Sequence, residues 1–469
     1  MEWIHRGLWT WVILACLAPA GAKAMQVYKS ADADLNLGGR FQLLGELSLA
    51  TDDPVRDHTR IYLFDREERL LASGRYGGAR FHFDEALGAE AMNGSDSQNN
   101  LLEFNADFPL GGQWGVMAGQ FKVPTNLESA EDSGHLLFAE KSELLQMFFN
   151  EGYDTGLVLH GRFGDGTAML GAISGAPNIP NHFLPETMNF SPLLIARFGL
   201  EHGLSDDPFR PRQEGFDRPR ELQYAVHLNM GYANDSDVGH TTLLSLQSDY
   251  FDAAVSNSYY GNVLLYKNWN PYLGRTAGPT VSYNGNPTTI GPVNAHYWRV
   301  SADGVLRKPL GGGAVVLQGQ FNAAGFSASD FQPFSMNGLT TTSGALAVFG
   351  AELVAAYVTP QWDWAGRLTA VLPDAGFSYN YDGAGGYSPV TGVEPIYELT
   401  LPSIGWHPTP GLKLVGEAQW LIDTPESLDN DGVYLLTEMP TQVTVASNTN
   451  PITRAALVPV GRMMLQYQF

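Results

Sequence analysis

The sequence predicts an all-β fold, a transmembrane antiparallel β-barrel of 16 (possibly 18) strands, and three observations carry that reading. Apolar and polar residues alternate with a period of two over many segments of about ten residues. Short Gly/Pro/Asp turns and long polar connections separate those segments in near-regular succession. Beyond residue 24 there is no apolar run of about 18 residues, which excludes a helical membrane protein.

Composition agrees with this class. Charged residues are only 16% and mean hydropathy is −0.13, as expected when an apolar outer band and a polar lumen average out. The formal charge of −22 makes nucleic acid a poor partner. Lining a lumen, such charge draws cations and repels anions; on outer loops it suits a divalent-ion-rich lipopolysaccharide surface.

The N-terminus reads as a secretory signal peptide over residues 1–24. His5 and Arg6 precede an apolar stretch from Gly7 to Ala22, and Ala22-Lys23-Ala24 fits a small-x-small cleavage site. Residues 25–469 then form one barrel domain starting at Met25. The sole cysteine, Cys16, lies within the signal, where Ile13-Leu14-Ala15-Cys16 offers a weaker lipoprotein alternative. Without it the mature chain has no thiol, and a closed ladder needs no disulfide.

The elements follow in order. Leu35 to Leu49 places Leu35, Leu37, Phe41, Leu43, Leu47 and Leu49 on one face, with Asn36, Arg40, Gln42 and Glu46 opposite. Thr59 to Ser73 is the least regular strand, since Asp65 to Arg69 is an unbroken charge run. After Gly77-Gly78 comes Arg80 to Asp84. Leu102, Phe104, Ala106 and Phe108 alternate with Glu103, Asn105 and Asp107, and Pro109 to Gly112 turns into Trp114–Lys122. A long acidic connection fills 123–151. Tyr153 to Phe163, the turn Gly164-Asp165-Gly166, and Thr167 to Gly175 form the next hairpin.

Further strands are expected at 193–202, 221–232, 240–251, 259–269, 294–307, 314–325, 344–358, 362–371, 395–406 and 412–422. The 221–232 segment is the clearest, with Leu222, Tyr224, Val226, Leu228, Met230 and Tyr232 on one face. Two features break the rhythm: the connection at 234–238 is short where a long one is due, and 344–358 is Ala-rich with a helix-like face. Tyr153, Trp298, Tyr357, Trp420 and Tyr467 near strand ends suit interfacial aromatic girdles. In the closing strand Met463, Leu465, Tyr467 and Phe469 share one face, while Arg462, Gln466 and Gln468 share the other. A terminal Phe with apolar residues at alternate positions resembles the last strand of Gram-negative outer-membrane barrels. That resemblance implies outer-membrane localisation and reading of these four residues by the barrel-assembly machinery. A soluble propeller or sandwich is the competing architecture, but no repeated blade signature is present.

A more specific match lies at 118–164. Ala118-Gly119-Gln120-Phe121-Lys122-Val123-Pro124 is followed by Leu127-Glu128, Phe138-Ala139-Glu140-Lys141, Tyr153-Asp154-Thr155-Gly156-Leu157 and Leu159-His160-Gly161. These segments resemble the phosphate-selective porin O and P family, with Lys141 standing where the family has Arg. The resemblance implies a sixteen-stranded, usually trimeric barrel whose third long loop folds inward to narrow the pore; 123–151 is its counterpart here. Leu137, Leu144, Leu145 and Phe148 allow a short helix in its second half, packed on the wall, while an extracellular cap is the alternative placement. Phosphate selectivity in that family rests on cationic linings. Candidates on polar faces are Arg40, Arg162, Arg299 and Arg462, with Lys122 at the motif. Against them the loop sets Glu128, Glu131, Asp132, Glu140, Glu143 and Glu151 beside Lys141 alone.

Other chemistry finds little support in the sequence. The 11 histidines are scattered, none in H-E-x-x-H, and there is no G-x-S-x-G elbow. Asp429-Asn430-Asp431-Gly432 lacks the full calcium-loop spacing. No catalytic residue, cofactor or metal is therefore expected. The sequence points to an outer-membrane channel for passive diffusion of small hydrophilic solutes or ions, general or cation-leaning. The alternatives are an anion- or phosphate-selective channel and a barrel serving as anchor or adhesin. Outer-membrane lipid, lipopolysaccharide, the assembly machinery and a second and third copy of the chain are the expected partners.

Overall fold

A computed structural model describes residues 25–48, 60–87, 101–124, 126, 130–142, 145, 153–173, 192–204, 221–235, 282–283, 286–287, 294–329, 344–372, 379–381, 387–389, 396–409, 411–425 and 454–469. The strands are β1 (Met25–Lys29), β2 (Ala33–Ser48), β3 (Arg60–Tyr76), β4 (Ala79–Ala86), β5 (Leu101–Gly111), β6 (Trp114–Lys122) and β7 (Tyr153–Phe163). They continue with β8 (Gly166–Ile173), β9 (Leu193–His202), β10 (Gln223–Asp235), β11 (Ser282–Tyr283), β12 (Asn286–Pro287), β13 (Asn294–Leu310) and β14 (Gly313–Ser329). The last are β15 (Gly344–Val358), β16 (Trp362–Leu372), β17 (Tyr379–Tyr381), β18 (Tyr387–Pro389), β19 (Ile396–Thr409), β20 (Leu412–Pro425) and β21 (Arg454–Gln468).

Sixteen of these, β2–β10, β13–β16 and β19–β21, form a closed antiparallel barrel. Closure comes where β21 pairs with β2, from Arg40 opposite Gln468 to Ser48 opposite Val460. β1 lies on the same edge of β2, pairing Met25 with Leu37 and Lys29 with Asp34, and so continues the ladder where β21 stops. Every wall strand thus has two partners, which satisfies its backbone groups in lipid. Among the described residues no helix is long and apolar enough to cross a membrane.

The ring settles the strand number. The segments 240–251 and 259–269 lie outside the described residues, but the wall has no place for them. β10 pairs directly with β13, from Gln223 opposite Arg307 to Asp235 opposite Ala295. The short connection at 234–238 therefore disappears into a single long one, and the turn-and-loop rhythm becomes regular at that point. The Ala-rich 344–358 segment is a full strand, laddered to β14 over most of its length and to β16 in its second half. Pairing on both edges overrides its helical propensity.

Side chains follow the pleat. Ile61, Leu63, Phe104, Leu157, Val226, Leu353 and Met463 are exposed on the outside, the apolar band that faces lipid. Arg40, Gln42, Glu46, Asp84, Glu103, Arg197, His227, Asp303, Arg367, Glu398 and Lys413 are buried on the inside. The charge run of β3 departs from alternation because Arg66 is an extra residue, with Glu67 opposite Gln42 but Asp65 opposite Leu43. Such a bulge re-aims side chains, and Arg66 and Glu67 both reach the interior.

Candidate functional site

The described part of the connection after β6, residues 130–142, runs against the inner wall of the barrel rather than capping it. Lys122 closes β6 and donates from Nζ to the Glu131 carbonyl, with its ammonium 5.8 Å from the Tyr153 ring centre. Gly119, in the motif that leads into the connection, has φ +123°, and a Cβ there would stand 2.2 Å from the Phe104 carbonyl oxygen, so only Gly fits. Arg197 of β9 donates to the Pro124 carbonyl at 3.1 Å.

Asp132 caps a single 3-10 turn, Ser133–His135, by accepting from the Gly134 amide at 2.8 Å. Its carboxylate also pairs with Arg40. A Cβ on Gly134 would lie 2.2 Å from the Arg40 guanidinium, so the close approach depends on that glycine. Burial pushes the Asp132 carboxyl up. The Arg40 guanidinium outweighs that, helped by His135 and the Gly134 amide, and holds the group well below the ordinary carboxylate range.

The chain then crosses the inner wall from β21 to β16. Gln466 donates to the Gly134 carbonyl at 2.8 Å, Lys413 to that of Leu136, Ser403 to that of Leu137 at 3.1 Å, and Arg367 to that of Glu140 at 3.0 Å. Glu417 accepts from the Ala139 amide at 2.9 Å, and Glu398 from the Ser142 hydroxyl at 3.0 Å. Arg66 grips the Glu140 carboxylate, donating from Nη2 at 2.7 Å. These contacts explain why the expected helix is not present over residues 137–142. Wall side chains take the backbone groups that a helix would pair internally. Leu137 and Leu145 are buried as expected, and Leu144 and Phe148 lie outside the described residues.

Leu137 and Phe138 belong to one buried apolar cluster with Ala225, Val305, Ala314, Val316, Val354, Ala356, Val358 and Ala365. Phe138 also lies 4.5 Å beneath the Arg367 guanidinium, a cation–π contact. Ala139 packs separately with Leu44, Val415 and Met464. The loop is therefore anchored on several sides of the lumen.

Of the residues predicted as pore candidates, Arg40, Lys122, Glu131, Asp132, Glu140 and Lys141 meet in or against this loop. Arg299 and Arg462 are buried on the inner wall, the latter donating to Glu46 at 2.8 Å. Arg162 does not join them: it pairs with Glu201 beside the β7–β8 turn. Glu128, Glu143 and Glu151 lie outside the described residues. Arg66, Glu67, Arg69, Arg367, Glu398, Lys413 and Glu417 complete the site. Glu398, Lys413 and Glu417 lie on the strands expected at 395–406 and 412–422, whereas Arg66 was hidden by the bulge.

Met463, Leu465, Tyr467 and Phe469 lie on the outer face of β21. Phe469 exchanges both backbone hydrogen bonds with Gly39 at 3.0 Å, and its ring covers that glycine.

Residues 57–191 match the family described as phosphate-selective porin O and P. The porin match spans less than a third of the chain and contains the inward loop with its flanking strands. No curated protein matches the chain. Among solved structures, it is similar to the outer-membrane expressed OmpT of Vibrio cholerae (9% identity, 95% of this chain, 100% of that one, TM-score 0.47). It is also similar to OmpF of Salmonella typhi in complex with daunomycin (10% identity, 95% and 100%, TM-score 0.47). Closed barrel, apolar outer band and porin match agree on a channel in the outer membrane of a Gram-negative bacterium.

Proposed function

We propose that this porin passes small hydrophilic solutes passively, with weak cation preference set by the loop of residues 123–145. The loop's insertion into the lumen carries the reading, because a chain pinned to the wall narrows the path that any solute takes. Both signs of charge line that path, and at the loop they are matched: Arg40 with Asp132, Arg66 with Glu140, Arg367 with Glu398 at 2.8 Å. Matched charges discriminate weakly, and the overall excess of acidic residues favours cations. No step here calls for a cofactor or a chemical reaction. Met463, Leu465, Tyr467 and Phe469 serve assembly, residues 1–24 export, and a trimer is the working assembly.

An anion-selective reading is favoured by one observation: Arg40, Arg66, Lys122 and Lys141 gather around the loop in the segment that matches the porin family. Reversal potentials in planar bilayers under a salt gradient, followed by phosphate titration, separate the two. Cation preference without phosphate block supports the general channel. Anion preference with block at low phosphate overturns it.

A further inference from the structure

We propose that His82, Asp84 and Glu103 form a binding site for one divalent transition-metal ion on the lumen wall. His82 and Asp84 are two residues apart on β4 and so share its inner face. Glu103 of β5 is directly opposite Asp84, and His82 is opposite Asn105. One ligand atom from each of the three lies within 4.8 Å of the others. Modest side-chain rotations close that separation to the spacing that bonds of about 2.1 Å impose.

A second observation points to a ligand. Asp84 is 4% exposed, and its Oδ1 is buried and accepts no hydrogen bond from any described residue. A buried carboxylate oxygen without a donor is costly, and a metal ion would satisfy it. The other oxygen, Oδ2, accepts from Arg69 at 3.2 Å, and Glu103 Oε2 accepts from Asn105 at 3.2 Å. These second contacts orient both carboxylates, as outer partners do around metal ligands. Arg69 opposes a cation electrostatically, but it is shared with Glu67 and with the Tyr153 hydroxyl.

One imidazole nitrogen and two carboxylates, with no thiolate, suit Zn²⁺ and its first-row neighbours better than Ca²⁺ or Mg²⁺, which take oxygen alone. The sequence conceals the site because its ligands come from two strands and lack any linear metal spacing.

The test is Zn²⁺ titration of the detergent-folded full chain by calorimetry, a readout independent of whether the channel conducts. One Zn²⁺ per chain is expected, undiminished by excess Mg²⁺. His82→Ala and Glu103→Gln should each weaken binding at least about tenfold, since even outer-shell changes cost that much. Heat-resistant migration on gels confirms that each variant is a folded barrel, and Glu103→Gln keeps the shape of the side chain. No Zn²⁺ binding by the native chain, or unchanged binding in both variants, overturns the proposal.

Discussion

On β2, β3 and β19–β21 the inner wall meets the loop mainly with polar side chains, with a small apolar contact at Ala139, whereas on β10 and β13–β16 it meets the same loop mainly with Val and Ala. The first sector contributes Arg40, Arg66, Ser403, Lys413, Glu417 and Gln466, each aimed at a particular loop group. The second contributes an apolar floor under Leu137 and Phe138, with Arg367 as a polar anchor on the Glu140 carbonyl. Directional contacts fix where a segment sits, while apolar contacts hold it down without choosing a register. The polar sector should therefore control conductance and selectivity, and the apolar sector stability.

Arg40→Ala breaks this division most severely. It takes a fully buried guanidinium from the partly exposed Asp132 and from the buried Glu67 at 2.9 Å, and removing one partner of a buried pair costs about 3–5 kcal/mol. The loop should detach at its first anchor. Single-channel conductance should rise and become noisy, and the urea midpoint of the folded barrel should fall. A quiet channel of native size would show that Arg40 does not position the loop.

Leu137→Ala tests the other sector. Truncating a fully buried Leu costs about 2–5 kcal/mol. Because the charges remain in place, the reversal potential should stay at its native value while stability drops. A shift in selectivity would mean that the apolar floor also sets the register.

Acid should sharpen the contrast at a predictable pH. The Asp132 carboxyl is depressed in the folded protein, so its contribution is complete above the ordinary Asp value and is lost only as pH falls through the lowered one. Open-channel noise should stay flat from pH 7 to about 4, the ordinary Asp value, and rise only below it. Noise that grows between pH 6 and 5 would assign the latch to another group.

How much of this was legible depends on where each residue's partner lies. Alternation placed Arg40, Gln42 and Glu46 on one face and Phe41 and Leu43 on the other, because lipid and lumen act on each strand locally. It could not register that the segments before 240 and after 293 are neighbours in the wall, since only the pairing of β10 with β13 decides that. Arg66 escaped because a bulge is a two-strand property. Over 137–142 the helix gives way because Ser403 and Glu417, more than 260 residues later, take backbone groups of Leu137 and Ala139. The charges that answer the loop's acidity are distant in the same way, since the cations that match Asp132 and Glu140 are on β2 and β3.

The smallest effect is expected at Arg162, which the sequence grouped with Arg40 and the structure separates from it. Its side chain is 28% exposed beside the β7–β8 turn and pairs with Glu201, which also accepts from His227 at 2.7 Å. Removing Arg162 therefore leaves Glu201 with a partner, and a partly exposed pair contributes at most about 1 kcal/mol. Arg162→Ala should leave the urea midpoint and single-channel conductance within error of native, in the same assays that register Arg40→Ala. A loss matching that of Arg40→Ala would mean that the wall beside the β7–β8 turn, and not the loop, is the narrowest charged part of the path.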